Sequence, residues 1–247
     1  MTDLNIKLFL DFDGTNYSGW QIQANAITIQ EVIETCLKKI YNKKINVYAC
    51  GRTDAGVHAK NFIINFKIPC LKIPVSNIPK ALNAYLPFDI CATKAIIVKN
   101  SFHATYNVKK KTYRYTILNC RYNDVFNRNF YFQFKKTLDT DKMIKASKLF
   151  IGKHDFRAFC SEANKKTNCI RTILDLKIKK QKDFILIDIT SDGFLYNMVR
   201  IITGTLLEAG KGKLSTSEIK DIFKTNNRNN AGPTAPAKGL QLLKVYY

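Results

Sequence analysis

Ala49-Cys50-Gly51-Arg52-Thr53-Asp54-Ala55-Gly56-Val57-His58-Ala59 joins two β-like runs, 45–50 and 61–67. Gly51 and Gly56 mark a bent connection, because glycine suits tight turns and close backbone approach. Arg52 and Asp54 flank Thr53, so in an extended segment they point to the same side. A loop carried on strands displays reactive side chains from a rigid base. The plain alternative is a surface turn with a local ion pair, worth about 0–1 kcal/mol.

Outward from this stretch, the hydrophobic pattern divides into two series. In the first, Ile6, Leu8, Leu10 and Phe12 alternate as a strand. A turn-rich loop, Asp13-Gly14-Thr15-Asn16-Tyr17-Ser18-Gly19-Trp20, ends on the single tryptophan. Thr28-x-x-Glu31 reads as a capping box for a helix to about Tyr41, with Ile29, Val32, Ile33, Cys36, Leu37 and Ile40 on its apolar face. A short helix over 78–85 and a strand over 90–98 complete the series. A polar crossover over 101–111 ends in Lys109-Lys110-Lys111.

The second series has strands predicted over 112–118 and 129–134, and a helix over 140–151 stopped by Gly152. Strands over 172–179 and 184–190 follow, then a long helix over 194–209, a short one capped by Ser215-x-x-Glu218, and a last strand over 240–246. Stripped of extras, each half reads strand–helix–strand–strand–helix–strand, the ferredoxin-like split βαβ order. The expected fold is therefore α+β, two βαββαβ halves with mostly antiparallel sheets, pseudo-twofold, with a cleft between them. The expected division is 1–104, carrying the loop above, and 105–247.

The 247 residues carry 40 basic and 19 acidic side chains, a formal charge of +21. Residues 1–104 hold 12 basic and 7 acidic groups, and 105–247 hold 28 and 12. A positive field of this size favours a polyanion, and counterion release makes nucleic acid the leading partner. No apolar run approaches the ~20 residues of a membrane-spanning helix. The seven cysteines form no C-x-x-C pair and the three histidines are scattered, which suggests reduced thiols in a cytoplasmic protein and no metal site. Patterned sequence begins by Asn5, so no signal or transit peptide is expected.

Asp54 is the first candidate for chemistry, since a carboxylate is ionised at neutral pH and ready as nucleophile or base. In a cleft it needs a cation to stay charged. Arg52 in the loop and Arg200, beside the apolar stripe of the 194–209 helix, are the available guanidinium groups. Tyr113 and Tyr115 share one face of a strand, with Arg114 on the other; aromatic rings on a strand serve either as core or as stacking surfaces for bases. Lys165-Lys166 reads as a solvated pair or a grip on phosphate. Gly204–Gly212 is no nucleotide-binding loop: its spacing is one residue too long, no Ser or Thr follows the lysine, and it closes a helix.

The nine residues Gly51–Ala59 resemble the signature of TruA-type tRNA pseudouridine synthases. Further blocks similar to that family run nearly the length of the chain: Phe12-Asp13-Gly14 with Gly19-Trp20-Gln21, Ile29-Gln30-Glu31, Phe102-His103-Ala104, Tyr113-Arg114-Tyr115, Met198-Val199-Arg200 with Gly204, and Ala237-Lys238-Gly239-Leu240-x-Leu242-x-x-Val245-x-Tyr247. The resemblance implies the pseudouridine synthase fold and isomerisation of uridine in the tRNA anticodon stem-loop, positions 38–40, with no cofactor. It implies that Asp54 is the catalytic aspartate, that Arg52 enters the RNA and helps flip the target, and that Tyr113 lies against the flipped uracil as a candidate proton-removing base. By the same resemblance Arg200 pairs with Asp54 and Leu242 helps wall the pocket. Phe102, His103, Lys109, Lys110 and Lys111 would join Lys165 and Lys166 in holding RNA, and the protein would be a homodimer. One position departs from the family pattern: Thr105 stands where a basic residue often follows Phe-His-Ala. The competing reading is a basic RNA-binding or RNA-folding factor without catalysis. A carboxylate facing phosphates would gain such a binder little. A hydrolase is disfavoured by the lack of a second carboxylate or metal set.

Overall fold

The computed structural model describes residues 3–161 and 168–247. It is α+β, and its described strand pairs are mostly antiparallel, with a short parallel pair at 117–118 and 132–133. The chain divides into two compact units, residues 1–109 with 242–247, and residues 110–241.

The first unit contains β1 (Leu4–Phe12), α1 (Ile29–Tyr41), β2 (Tyr48–Ala49), β3 (His58–Ile68), α2 (Ile78–Asn83) and β4 (Ile90–Val98). Its sheet order is β4-β1-β3-β2, the order expected of a ferredoxin-like βαββαβ unit. Alternate residues of β1 (Ile6, Leu8, Leu10 and Phe12) are buried, as the period-two pattern requires. The face of α1 that packs inward carries Ile29, Ile33, Cys36, Leu37 and Tyr41.

The capping box expected at Thr28 does not form. Thr28 makes no side-chain cap, and its hydroxyl is buried without a hydrogen-bond partner. The first amides of the helix are instead satisfied from a distant loop: Ile29 N–H donates to Gly19 O (3.1 Å) and Gln30 N–H to Trp20 O (3.1 Å). Tertiary carbonyls have taken over the work that a local hydroxyl does at most helix starts.

The second unit contains β5 (Lys110–Leu118), β6 (Phe132–Gln133), α3 (Thr140–Ser147), β7 (Gly152–Asp155), β8 (Ile170–Gln181), β9 (Phe184–Ser191), α4 (Met198–Gly210) and α5 (Thr216–Thr225). The final strand, β10 (Leu240–Tyr246), begins in this unit and ends among the residues of the first. The order β5-β9-β8 repeats the β1-β3-β2 order of the first unit, with β7 added outside β8 and β6 parallel to β5. The capping box at Ser215 and Glu218 is complete. Phe150, Phe159 and Phe223 meet edge-on or tilted, with ring centres 5.0–5.5 Å apart, at the heart of this unit.

Four expected elements come out differently. The helix over 140–151 ends at Ser147 and tightens into a 3-10 turn; Gly152, with φ +109°, then opens β7. The strands expected over 45–50 and 129–134 contract to two residues each. The helix expected from Phe194 begins only at Met198, because Asn197 adopts a left-handed conformation (φ 59°) at its N-cap. Among the described residues no helix is long and apolar enough to cross a membrane.

Candidate active site

The stretch 51–57 leaves β2 and enters β3 without regular structure of its own. Asp54 and Val57 close a turn (Val57 N–H to Asp54 O, 3.1 Å) whose third residue, Gly56, has φ +75°, the geometry of a type II turn. Asp54 is half-buried, Arg52 is exposed and Thr53 is buried.

A second loop, residues 13–20, braces the first along its length. Trp20 N–H donates to Thr53 O (3.1 Å) and Gly56 N–H to Tyr17 O (3.2 Å). The two backbones touch at two glycines. A Cβ on Gly14 would sit 2.1 Å from Val57 O, and one on Gly19 would sit 2.5 Å from Thr53 O and 3.0 Å from the carbonyl carbon of Asp54. No side chain fits in either place. The paired glycines of the 13–20 loop are thus the physical reason that the aspartate-bearing turn can pack so low against the domain.

The bracing loop is itself anchored. Tyr17 donates its hydroxyl to Asp89 Oδ1 (2.6 Å), and Asp13 N–H donates to Asp89 O (2.9 Å). Burial and the Asp89 carboxylate hold the Tyr17 phenol well above the usual tyrosine range. Trp20 lies against Phe62 at 4.6 Å, and Phe12 meets Phe62 edge-on at 5.3 Å. His58 sits beneath, almost fully buried, with Nδ1 3.1 Å from Gly14 N and 3.0 Å from Asp13 Oδ1. One tautomer cannot serve both contacts. The Gly14 amide can only donate, and Asp13 Oδ1 already accepts from the Thr15 amide and hydroxyl, so Nδ1 acts as the acceptor from Gly14. His58 orders the loop.

Close by in the same unit, the turn 102–107 is held by a buried amide relay. Asn5 donates to Phe102 O (2.8 Å) and Lys99 O (3.1 Å), Asn65 donates to Asn5 Oδ1 (2.9 Å), and Ala104 N–H donates to Asn65 Oδ1 (2.8 Å). Phe102 packs on Tyr247 at 5.0 Å, with the Lys7 ammonium 4.9 Å from the Phe102 ring and 4.0 Å from that of Tyr247. Thr105, the position that departs from the family pattern, donates its hydroxyl to Ala49 O (2.6 Å). That bond ties the turn to the strand feeding the Asp54 loop. Lys109 is exposed.

In the second unit Tyr113 and Tyr115 both point inward from β5. Tyr115 is wholly buried and donates to Pro236 O (2.8 Å), whereas Tyr113 keeps 8% exposure and meets Phe194 edge-on at 5.1 Å. Arg114, on the opposite face, forms a two-pronged pair with Asp188 of β9, each bond 2.7 Å. Lys110 and Lys111 are half-buried at the start of β5.

The late start of α4 moves Arg200 from mid-helix into the first turn. A cation there opposes the helix dipole, yet Arg200 is fixed: Nε donates to Ala235 O (2.7 Å), Nη1 donates to Asn197 Oδ1 (2.8 Å), and its own carbonyl accepts from Ala235 N–H (3.1 Å). The segment 231–236 lies directly on α4, and a Cβ at Gly204 would fall 1.7 Å from Pro233 O. Leu242 is fully buried in β10. Lys165 and Lys166 lie outside the described residues.

Sequence reasoning missed Tyr48, Tyr106 and the Tyr17–Asp89 bond, none of which has a local pattern. The role of Gly14 and Gly19 was signalled only by two glycines bracketing a turn-rich loop. Among the described residues no group of three or more His, Cys, Asp or Glu side chains gathers as metal ligands.

The chain matches the family model described as tRNA pseudouridine synthase over residues 9–107 and 146–247. It is similar to proteins named tRNA pseudouridine synthase A from Thermoanaerobacter sp. (strain X514) and from Clostridium kluyveri, 46% identical in each case. The relative of the same name from Clostridium acetobutylicum is 44% identical. Each alignment covers 98% of this chain and 99% of the relative.

Proposed function

The chain belongs to the tRNA pseudouridine synthase family, and on that footing we propose that it isomerises uridines 38–40 of the tRNA anticodon stem-loop by base flipping, with Asp54 as the essential carboxylate. The observation that carries this reading is the seat of Asp54 on a type II turn clamped between Gly14, Gly19 and the Tyr17 carbonyl. A fixed, half-buried carboxylate suits a reaction that needs a group already in position.

The isomerisation breaks the N1–C1′ bond of the nucleoside, turns the freed uracil and forms a C5–C1′ bond. The proton leaves C5 and N1 gains one, so no electrons or groups are exchanged with a second reactant. Asp54 attacks C1′, attacks C6 or assists loss of a sugar proton; each route needs an ionised carboxylate beside the nucleoside. The stacked target must first be extruded at a cost of a few kcal/mol. Exposed Arg52, two residues from Asp54, is suited to fill the vacated space, and phosphate contacts by the basic chain offset the rest.

The motifs of Tyr113 and Arg200 support roles for them in the same chemistry: Tyr113 against the uracil and in removal of the C5 proton, Arg200 as the cation that keeps the reacting carboxylate ionised. Leu242 is assigned to the pocket wall, and Phe102, His103, Lys109, Lys110, Lys111, Lys165 and Lys166 to the RNA footprint. The packing of Phe102 against Tyr247 argues that its share is to shape the turn. The protein works as a cytoplasmic homodimer, which sedimentation velocity and cell fractionation test directly.

The deciding experiment uses tRNA labelled with tritium at uridine C5. Wild-type protein is expected to release label without added metal or nucleotide. Asp54→Asn and Asp54→Ala are expected to release none while still binding tRNA. Wild-type protein that binds tRNA but releases no label would return the chain to the class of RNA-binding factors.

A further inference from the structure

Three aromatic side chains of the first unit meet at the surface; Tyr48 and Tyr106 have no part in the reading above, and His103 has been placed only in the general RNA footprint. The His103 ring lies 4.7 Å from that of Tyr48 and 4.3 Å from that of Tyr106, tilted by 47° and 31°. Tyr48 is 45% exposed and Tyr106 82% exposed. We propose that Tyr48, His103 and Tyr106 form a stacking platform for an unpaired nucleobase of the RNA, separate from the uridine that is isomerised. The inference rests on the tRNA reading above.

The rings stand on a frame that is already rigid. His103 N–H donates to Asn107 Oδ1 (2.7 Å) while Asn107 N–H donates to His103 O (3.1 Å), which staples the turn at both ends. His103 Nδ1 accepts from Thr105 N–H (3.2 Å), fixing the imidazole on its own backbone. The amide relay of Asn5 and Asn65 holds Ala104 from below, and Tyr247 donates its hydroxyl to Ala104 O (2.8 Å). Rings ordered in advance lose little freedom when a ligand arrives.

The size and chemistry of the patch select its occupant. A stable protein partner covers roughly 800 Å² on each side with an apolar centre. Three rings edged by phenol hydroxyls and an imidazole offer far less. A nucleobase has the area of one such ring, and every base has a face to stack, so the contact is tolerant of sequence. The chain as a whole carries a charge of +21, which favours a polyanion such as RNA as the ligand that brings a base to these rings. Tyr48 precedes Arg52 by four residues, and Thr105 is bonded to Ala49 between them, so the platform and the Asp54 loop are tied to one strand.

The test measures the Kd of a labelled tRNA anticodon stem-loop across a salt series. Tyr106→Ala and Tyr106→Leu are expected to bind about 5- to 100-fold more weakly. Tyr106→Phe and Tyr106→Trp should bind as wild type, and the indole introduced by Tyr106→Trp should lose emission when RNA is added. The slope of log Kd against log salt should not change, since no charge is altered. Thermal midpoints verify folding. Unchanged affinity in Tyr106→Ala overturns the proposal, as does full recovery in Tyr106→Leu, which would mean that bulk rather than a ring is required. A shift in sedimentation with RNA affinity intact would assign the rings to a protein contact and likewise overturn it. Failure of the tRNA reading is distinguished by wild-type protein: if it forms pseudouridine and only the Tyr106 series shows no effect, the platform alone is wrong.

Discussion

Gly19 lies directly against Asp54: a Cβ at position 19 would stand 3.0 Å from the aspartate's carbonyl carbon, with Thr53 O closer still at 2.5 Å. Gly19 also has φ +86°, a conformation costly for any residue with a side chain. Gly19→Ala should therefore displace the aspartate turn and lower stability by ~1–3 kcal/mol. Tritium release is expected to fall more than tRNA affinity does, and calorimetry alongside the release assay checks both.

Arg52→Ala should impair turnover more than binding. The side chain is exposed, so its removal costs the fold almost nothing. An unchanged turnover number at saturating tRNA would remove Arg52 from the flipping step.

Arg200→Lys keeps the charge but cannot present the planar fork that bonds Ala235 O and Asn197 Oδ1. We expect stability to drop by about 1–3 kcal/mol, the range for losing hydrogen bonds to a charged group. Turnover should fall with little change in tRNA affinity. Urea titration and single-turnover kinetics separate the two effects.

Asn65→Leu leaves the buried Ala104 amide and Asn5 carbonyl oxygen without a partner. The expected loss is ~2–4 kcal/mol, since two polar groups are stranded. Pairing it with Asn5→Leu should recover part of that loss, and a double-mutant cycle by thermal unfolding measures the coupling.

Tyr17, Tyr41, Tyr115 and Tyr247 all have phenol pKa values raised chiefly by burial. Below the unfolded value of ~10 both states are neutral and this contribution is fully present. Above it the unfolded chain releases protons that the folded chain keeps, so stability falls as pH climbs toward the folded values. Phenolate absorbance should show these buried rings titrating together with unfolding.

Much of the architecture was legible because burial is periodic. β4 is observed over Ile90–Val98 and β10 over Leu240–Tyr246, both with the predicted bounds. The same is true of the Ser215 capping box, whose bonds are all local. What failed was decided at long range. Thr28 and Glu31 have the spacing of a cap, yet the carbonyls of Gly19 and Trp20 reach the helix first. Phe194 to Asn197 continue a helical pattern of apolar residues, yet Asn197 turns left-handed and Arg200 becomes a first-turn residue. At the candidate site the identity of the aspartate loop was readable from nine consecutive residues. Its support was not, because a contact between Gly19 and Asp54 has no signature in either segment alone.

Loop 13–20 gives its carbonyls to α1 on one side and an amide to Thr53 on the other. Anyone moving this aspartate-bearing turn into another scaffold would have to carry residues 13–20 and 51–58 together, along with the end of the helix that receives them. Transplanted singly, the turn would arrive without the surface that gives it shape.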